Sequence, residues 1–310
     1  MVRPAEWFGP LETRQIPQDM RAFLTFTVLF TGLAATAQYG AFDAASVKAA
    51  KSTTTIVVLD AGDSPYNRAM MDAVKNHWRF SGSHEFVTTA ELATQPISPE
   101  KTYLMKVAKV DPVKFEGVFL ALVKGWKPKK GDMMEQKDNT YTNIPAPQEL
   151  AYIMIDAKGM NEHNTAGLVN VYLKHLQDYL GLVETGKITD KTTADRTYSG
   201  RTRFVRETEL WMAREHLDKT VPDAAKLKEF YTAPVQVMAL SQLLSAVEKQ
   251  DRTITISDVV ITGDYKNKHC FKRVFNAGTG ELMYQNDDAA IYGKKEGFID
   301  EDLKNLERAR

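Results

Sequence analysis

The sequence predicts an α/β to α+β protein, with a mixed, partly parallel sheet flanked by helices and a C-terminal β-hairpin. Three observations carry that expectation. The stretch "TTTIVVLDAGDSPYNRAMMDAVKNHW", from Thr53 to Trp78, reads as a buried strand, a tight loop and an amphipathic helix. "LAYIMIDA" (Leu150 to Ala157), followed by "NTAGLVNVYLKHLQDYLG", repeats that layout. "HCFKRVFNAGTGELMYQ" reads as two strand arms around a Gly278-Thr279-Gly280 turn.

From the N-terminus, "MRAFLTFTVLFTGLAATAQYG" begins at Met20 with basic Arg21, continues through apolar Ala22 to Leu33, and reaches Ala35-Thr36-Ala37 before Gln38. That is the layout of a secretory signal peptide over residues 20–37. The apolar run is shorter than the roughly 20 residues a membrane span needs. The mature chain is expected to start near Ala37/Gln38, with an exported protein, periplasmic or extracellular, as the result. Residues 1–19, with three prolines and balanced charge, fit no signal and read as a mis-assigned upstream leader. No second long apolar run follows, so no membrane span is expected after cleavage. The signal resembles export signals common in Bacteroidetes, which often end in Ala-x-Ala before Gln. The chain as a whole resembles exported proteins of that kind, and this resemblance implies neither an activity nor a site residue.

Residues 38–52 are small and polar and read as a linker or frayed helix. An N-terminal lobe over 53–182 has open-sheet, Rossmann-like texture. Ile56 to Leu59 is a continuous apolar run, as in a strand covered on both faces. Ser64 is placed to cap a helix that Pro65 opens. Tyr66, Met70, Val74 and Trp78 then share one helical stripe. Glu85 to Thr88 is a second short strand, "TTAELATQPISPE" a short helix, and "TYLMKVAKV" and "FEGVFLALVKGW" two strands joined at Asp111-Pro112. The Gly-, Pro- and Lys-rich connection 125–147 is long enough to suggest a functional or mobile loop. In the later helix Leu168, Tyr172, Leu176 and Leu180 share a face, with Gly181 as its stop. The polar, Thr-rich stretch 184–203 reads as a loop and a lobe boundary. A C-terminal α+β lobe over 183–310, which can be continuous with the first, carries "FVRETELWMA", "APVQVMAL" and "TITISDVVIT" as strands. "PDAAKLKEFY", "SQLLSAVEKQ" and "IDEDLKNLERAR" are its helices, the first opened by Pro222. Asp60-Ala61 and Asp156-Ala157 echo each other at the ends of strands. Two βα units obeying one turn chemistry explain that better than a duplicated half-unit.

The chain has 310 residues, with 40 basic and 40 acidic side chains, so its formal charge is zero. The first 37 residues carry Arg3, Arg14 and Arg21 against Glu6, Glu12 and Asp19, and removing them leaves that balance intact. No basic field favours nucleic acid. One cysteine, Cys270, excludes an internal disulfide and is expected to be buried. The six histidines show no paired metal-ligand spacing. No metal and no cofactor is predicted.

The candidates for chemistry are strand-end acids. Asp60 and Asp156 end apolar strands, and ligands of open parallel sheets sit beyond such ends. With Asp63 they are the candidate catalytic set. Gly62 and Ser64, at a helix N-terminus, are the candidate anion-binding pair. Each also has a structural role available: an aspartate ties its own turn, and Ser64 caps its helix. Trp126, inside "KGWKPKK", is a candidate for stacking on a ligand. Gly-x-Gly-x-x-Gly, P-loop and Gly-x-Ser-x-Gly patterns do not occur. The preferred reading is an exported, non-catalytic binding or envelope-interaction protein with a protein or small-molecule partner in the cell envelope. The alternative is a hydrolase or phosphate-handling enzyme built on the strand-end carboxylates.

Overall fold

A computed structural model of the chain describes residues 39–111, 115–129, 134–162 and 165–309, and these form one compact unit. The expected leader, signal and cleavage site, and His163, lie outside the described residues. Of the two readings of residues 38–52, linker or frayed helix, a helix is what forms, α1 (Ala44–Lys51): the Asp43 side chain accepts from the Ala45 and Ser46 N–H groups, and Val47 and Ala50 are buried. Five of the six residues of β1 (Thr54–Leu59) are buried. Then come α2 (Pro65–His77), β2 (Ser83–Thr88), α3 (Thr89–Leu92), β3 (Lys101–Asp111) and β4 (Phe115–Lys124). The long connection after β4 contains a small hairpin, β5 (Glu135–Lys137) and β6 (Thr140–Thr142). Strand β7 (Glu149–Ile155), the single turn α4 (Gly159–Glu162) and the long helix α5 (Val169–Glu184) complete the first half.

The second half begins with α6 (Lys191–Arg201), which lies where the sequence reads as a loop. Its polar surface hides the helical period, since only Ala194 and Tyr198 are buried; the signal is the reciprocal cap between Asp190 and Thr193. There follow β8 (Glu209–Ala213), α7 (Ala224–Lys228), β9 (Val235–Met238) and α8 (Leu240–Glu248). The chain closes with β10 (Ile254–Thr262), β11 (His269–Asn276), β12 (Leu282–Ala289) and α9 (Asp300–Arg308). Two boundaries differ from expectation. Asp223, not Pro222, caps α7 through the Lys226 N–H. Helix α5 runs past Gly181 to Glu184, and the left-handed residue that ends it is Gly186, φ +72°.

Two mixed sheets result. The first runs β2-β1-β3-β4-β7, with β1 parallel to β2 and β3, and β4 antiparallel to both β3 and β7. The second, taken from β9, runs β9-β8-β10-β11-β12, with the same two parallel pairings followed by two antiparallel ones. Apart from the β5–β6 hairpin inserted between β4 and β7, the connections also agree: strand, helix, strand, helix, three strands, helix. The same winding therefore occurs twice, and β1 corresponds to β8. The Asp-Ala echo in the sequence instead pairs β1 with β7, two non-equivalent strands of one sheet.

Helix α5 joins the halves. None of its residues is exposed: the apolar face is buried, and the polar side chains of Lys174, Gln177 and Asp178 are half-buried against Gly278, His77 and Arg201. One core cluster takes in α5, Leu120 and Ile153 of the first sheet, and Ile256, Phe275 and Leu282 of the second. The β11–β12 turn presses onto α5 at Gly280 (φ +71°), where a Cβ would lie 2.3 Å from Lys174 Cβ. An ion pair sits beside this contact. Arg273 of β11 lies 2.6 Å from Asp258 of β10 and donates to the Met154 carbonyl of β7 at 2.9 Å. The Tyr172 hydroxyl, from α5, donates to the other Asp258 oxygen at 3.0 Å.

His175 on α5 is 4% exposed, among Tyr198 and Phe275. Burial pulls its imidazole from the usual 6.5 down to about 4. Below the unfolded value the unfolded chain binds the proton and the folded chain does not. His175 therefore contributes stability that is complete above 6.5 and lost as pH falls towards about 4, about 3 kcal/mol in all. Burial lowers His216 in the same direction. Denaturation midpoints measured across that window should fall steeply with acid, and His175→Gln should flatten the profile. A variant with an unchanged slope would contradict this.

Candidate functional site

The loop after β1 is closed by a residue that the sequence patterns do not single out. The Asn67 side chain accepts from the Asp60 N–H at 2.8 Å and donates to the Asp60 and Gly62 carbonyls at 3.0 and 2.7 Å. Gly62 takes φ +81°, the left-handed region that glycine occupies without strain. Ser64 caps α2 by accepting from the Asn67 N–H at 3.1 Å. The Ala61 N–H donates to Asn139, at the tip of the β5–β6 hairpin, and Asn139 also accepts from the Thr89 hydroxyl. Strand β6 pairs with β3 through Val107 and Tyr141, so it occupies the place beside β3 that β1 leaves when it ends. The long connection thus covers the strand-end crevice between β1 and β3.

Inside that crevice the Asp60 carboxylate is 2.5 Å from the Lys106 ammonium, both side chains being almost wholly buried. Burial lowers the Lys106 pKa, and Asp60 works against that shift. The ammonium also stands 4.4 Å from the centre of the Tyr66 ring. Asn161 of α4 donates to the second Asp60 oxygen at 3.4 Å. Among the described residues the Tyr66 hydroxyl and the Asn161 carbonyl oxygen are buried without a partner. A lysine within a strand buried on both faces is the signal that would have pointed to this cluster.

The other strand-end acids lie elsewhere. Asp156 accepts from the Gly159 N–H at 2.9 Å and ties its own turn. Between β1 and β7 stand β3 and β4, a separation of about 14 Å at the usual strand spacing. One metal ion with ligand distances near ~2–2.6 Å cannot bridge Asp60 and Asp156 across that gap. Asp63 is exposed and holds Arg68 at 2.6 Å. Among the described residues no group of three or more His, Cys, Asp or Glu side chains gathers as a metal site.

Trp126 is buried to 8% exposure in the wall of a cleft of about 250 Å³. Leu92, Ala93, Ile97, Pro128, Met134 and Tyr141 form the rest of its apolar lining, with Gln95 and Gln136 as polar members. The indole N–H of Trp126 is buried without an acceptor among the described residues. This cleft lies over the face of the first sheet that carries Tyr103, Val107 and Phe119.

In the second half a buried lysine is also paired. Lys272, fully buried, stands 2.5 Å from Asp302 and 2.5 Å from Asp288. Asp302 further accepts from Tyr284, Asn286 and the Ile299 N–H. Cys270 is buried on β11, and burial pushes its thiol up to about 12 despite the nearby Lys272 charge.

No family model, no curated protein and no solved structure gives a significant match to the chain.

Two expectations follow from this geometry. Asp60→Asn leaves Lys106 buried without its counter-charge and should cost about 3 kcal/mol of stability. Asp156→Ala removes one turn hydrogen bond and should cost only about 1 kcal/mol. Urea denaturation of the two variants checks the ordering, and equal costs would contradict it. The Cys270 thiol should resist a thiol reagent in the native protein and react on unfolding; rapid native labelling would refute its burial.

Proposed function

We propose that the chain is an exported binding protein of the cell envelope without catalytic activity, and that it takes a small apolar ligand group in the Trp126 cleft. The observation that carries this reading is the cleft itself: a preformed concavity with an apolar lining and few polar members, the usual character of a small-molecule site. Its volume, about 250 Å³, suits a single ring or short acyl group rather than an extended ligand. The strand-end acids support the same reading from the other side. Asp60 is neutralised by Lys106, Asp63 by Arg68, and Asp156 is engaged in its own turn. A hydrolase built on these three would need them gathered round one substrate, and no observation favours that arrangement.

The test is a thermal-shift screen of aromatic and short-acyl fragments, followed by the same screen on Trp126→Ala. A ligand present at 100 times its Kd should stabilise the native chain by about 2.7 kcal/mol. The variant should lose that shift. Fragments that stabilise both proteins equally would place the binding elsewhere, and silence across the whole set would remove the small-ligand reading.

A further inference from the structure

Large apolar side chains are exposed at five positions among the described residues: Val110, Ile261, Tyr265, Ile291 and Tyr292. Tyr265, Ile291 and Tyr292 gather at one end of the fold, with Ile261 and Val110 at the strand ends nearby, Ile261 on the opposite face of β10 from Thr262. Val110 faces Glu116 across the β3–β4 pair, and the Thr262 hydroxyl donates to the Glu116 carbonyl. Ile261 is the residue before Thr262, and Tyr265 stands in the loop that follows it. The Tyr292 N–H donates to the Tyr265 carbonyl, and the two rings meet edge to face at 5.3 Å. Tyr265 is 61% and Tyr292 57% exposed. Ile291 is next to Tyr292 in the same turn.

Neither tyrosine is placed there by packing into a core. Tyr292 holds φ +56°, ψ +32°, a left-handed conformation that few bulky residues adopt. Backbone strain of that kind persists where the surroundings impose it, and it concentrates at functional positions. Here it displays an aromatic ring to solvent beside a second one.

The rim is basic. Residues 263–268 and 291–297 carry Lys266, Lys268, Lys294 and Lys295 against Asp264 and Glu296. Lys268 is paired with Glu296 and Lys295 with Asp288. The Asp264 carboxylate is engaged by the Lys266 and Asn267 backbone N–H groups. Lys266 and Lys294 have no acidic partner among the described residues.

We propose that this end of the fold is a membrane-contact surface that rests on bilayers bearing anionic lipid. The chemistry matches an interfacial anchor. Tyrosine rings sit at headgroup level, with an apolar body towards the acyl chains and a hydroxyl towards water. Ile291 supplies apolar area beside them. Lys266 and Lys294 supply attraction to anionic headgroups, and long lysine stems keep their charge at the surface. The apolar groups stand on loops and strand ends instead of lining a groove, which suits a planar surface better than an inserted peptide. No helix among the described residues is long and apolar enough to cross a membrane, so the contact is peripheral. The patch shares no residue with the Trp126 cleft.

The experiment is co-sedimentation of the whole chain with vesicles of phosphatidylcholine alone and of phosphatidylcholine containing phosphatidylglycerol. Binding is expected to the anionic vesicles and to weaken with salt. Tyr265→Ser with Tyr292→Ser should reduce partitioning at least about ten-fold, by loss of buried apolar area. Lys266→Gln and Lys294→Gln should each reduce it about five-fold. Thermal unfolding of the variants serves as the folding control, since these side chains are exposed. Failure of the native chain to sediment with anionic vesicles overturns the proposal. So does a tyrosine double variant that still folds and binds as well as the native chain.

Discussion

The Asp258–Arg273 pair is the interaction on which the assembly of the two sheets depends. The two residues face each other across β10 and β11, and both are almost wholly buried. A charge pair in that position is costly unless its remaining hydrogen-bonding groups are also satisfied. The second sheet alone does not supply those partners. The first sheet does, through the Met154 carbonyl on its edge strand, and α5 does, through the Tyr172 hydroxyl. Arg273 thereby also covers a carbonyl of β7, the last strand at that edge of the first sheet's main run. Docking of the halves and satisfaction of the buried charge are one event.

The same logic runs through the rest of the interior. Lys106 with Asp60, Lys109 with Glu149 and Lys272 with Asp302 are each a lysine carried into a strand and matched by a buried acid. For Glu149 burial raises the pKa and Lys109 opposes the shift. Such pairs specify register: a strand displaced by one residue would turn its lysine to the opposite face and leave the acid alone. They explain why a fold with a balanced composition places so many charges inside without making them chemically available. The Asp60 cluster occupies the crevice where an open parallel sheet holds its ligand, yet it is filled by Lys106, roofed by the β5–β6 hairpin and tied by Asn67 and Asn139. The apolar concavity beside Trp126, by contrast, stays open.

Much of the fold was legible along the chain because its signals are local. Ile56 to Leu59 and Leu150 to Ile155 announce buried strands, Ser64-Pro65 announces a helix start, and Gly278-Thr279-Gly280 announces the terminal hairpin. Helix α6 was hidden because threonines and charges mask its period, and α1 was only half legible, as a linker or frayed helix, because only two of its side chains reach the core. The twofold repeat of the winding was hidden for a different reason. It lies in strand order and direction, which depend on pairings between distant segments. The sequences of β1, "TTIVVL", and β8, "ELWMA", share nothing that would reveal their equivalence. The candidate site was half legible. Asp60, Ser64 and Gly62 were visible as a strand end and a helix start. Their partners Lys106, Asn139 and Asn161 come from three other segments, and no spacing rule connects them.

If the halves are joined as this interior requires, neither has an independent stability. Differential scanning calorimetry of the whole chain is the direct measurement. A single transition whose calorimetric and van't Hoff enthalpies agree, a ratio of about 1, is the predicted result. Two resolved transitions, or a calorimetric enthalpy well above the van't Hoff value, would show halves that melt separately and would contradict the account.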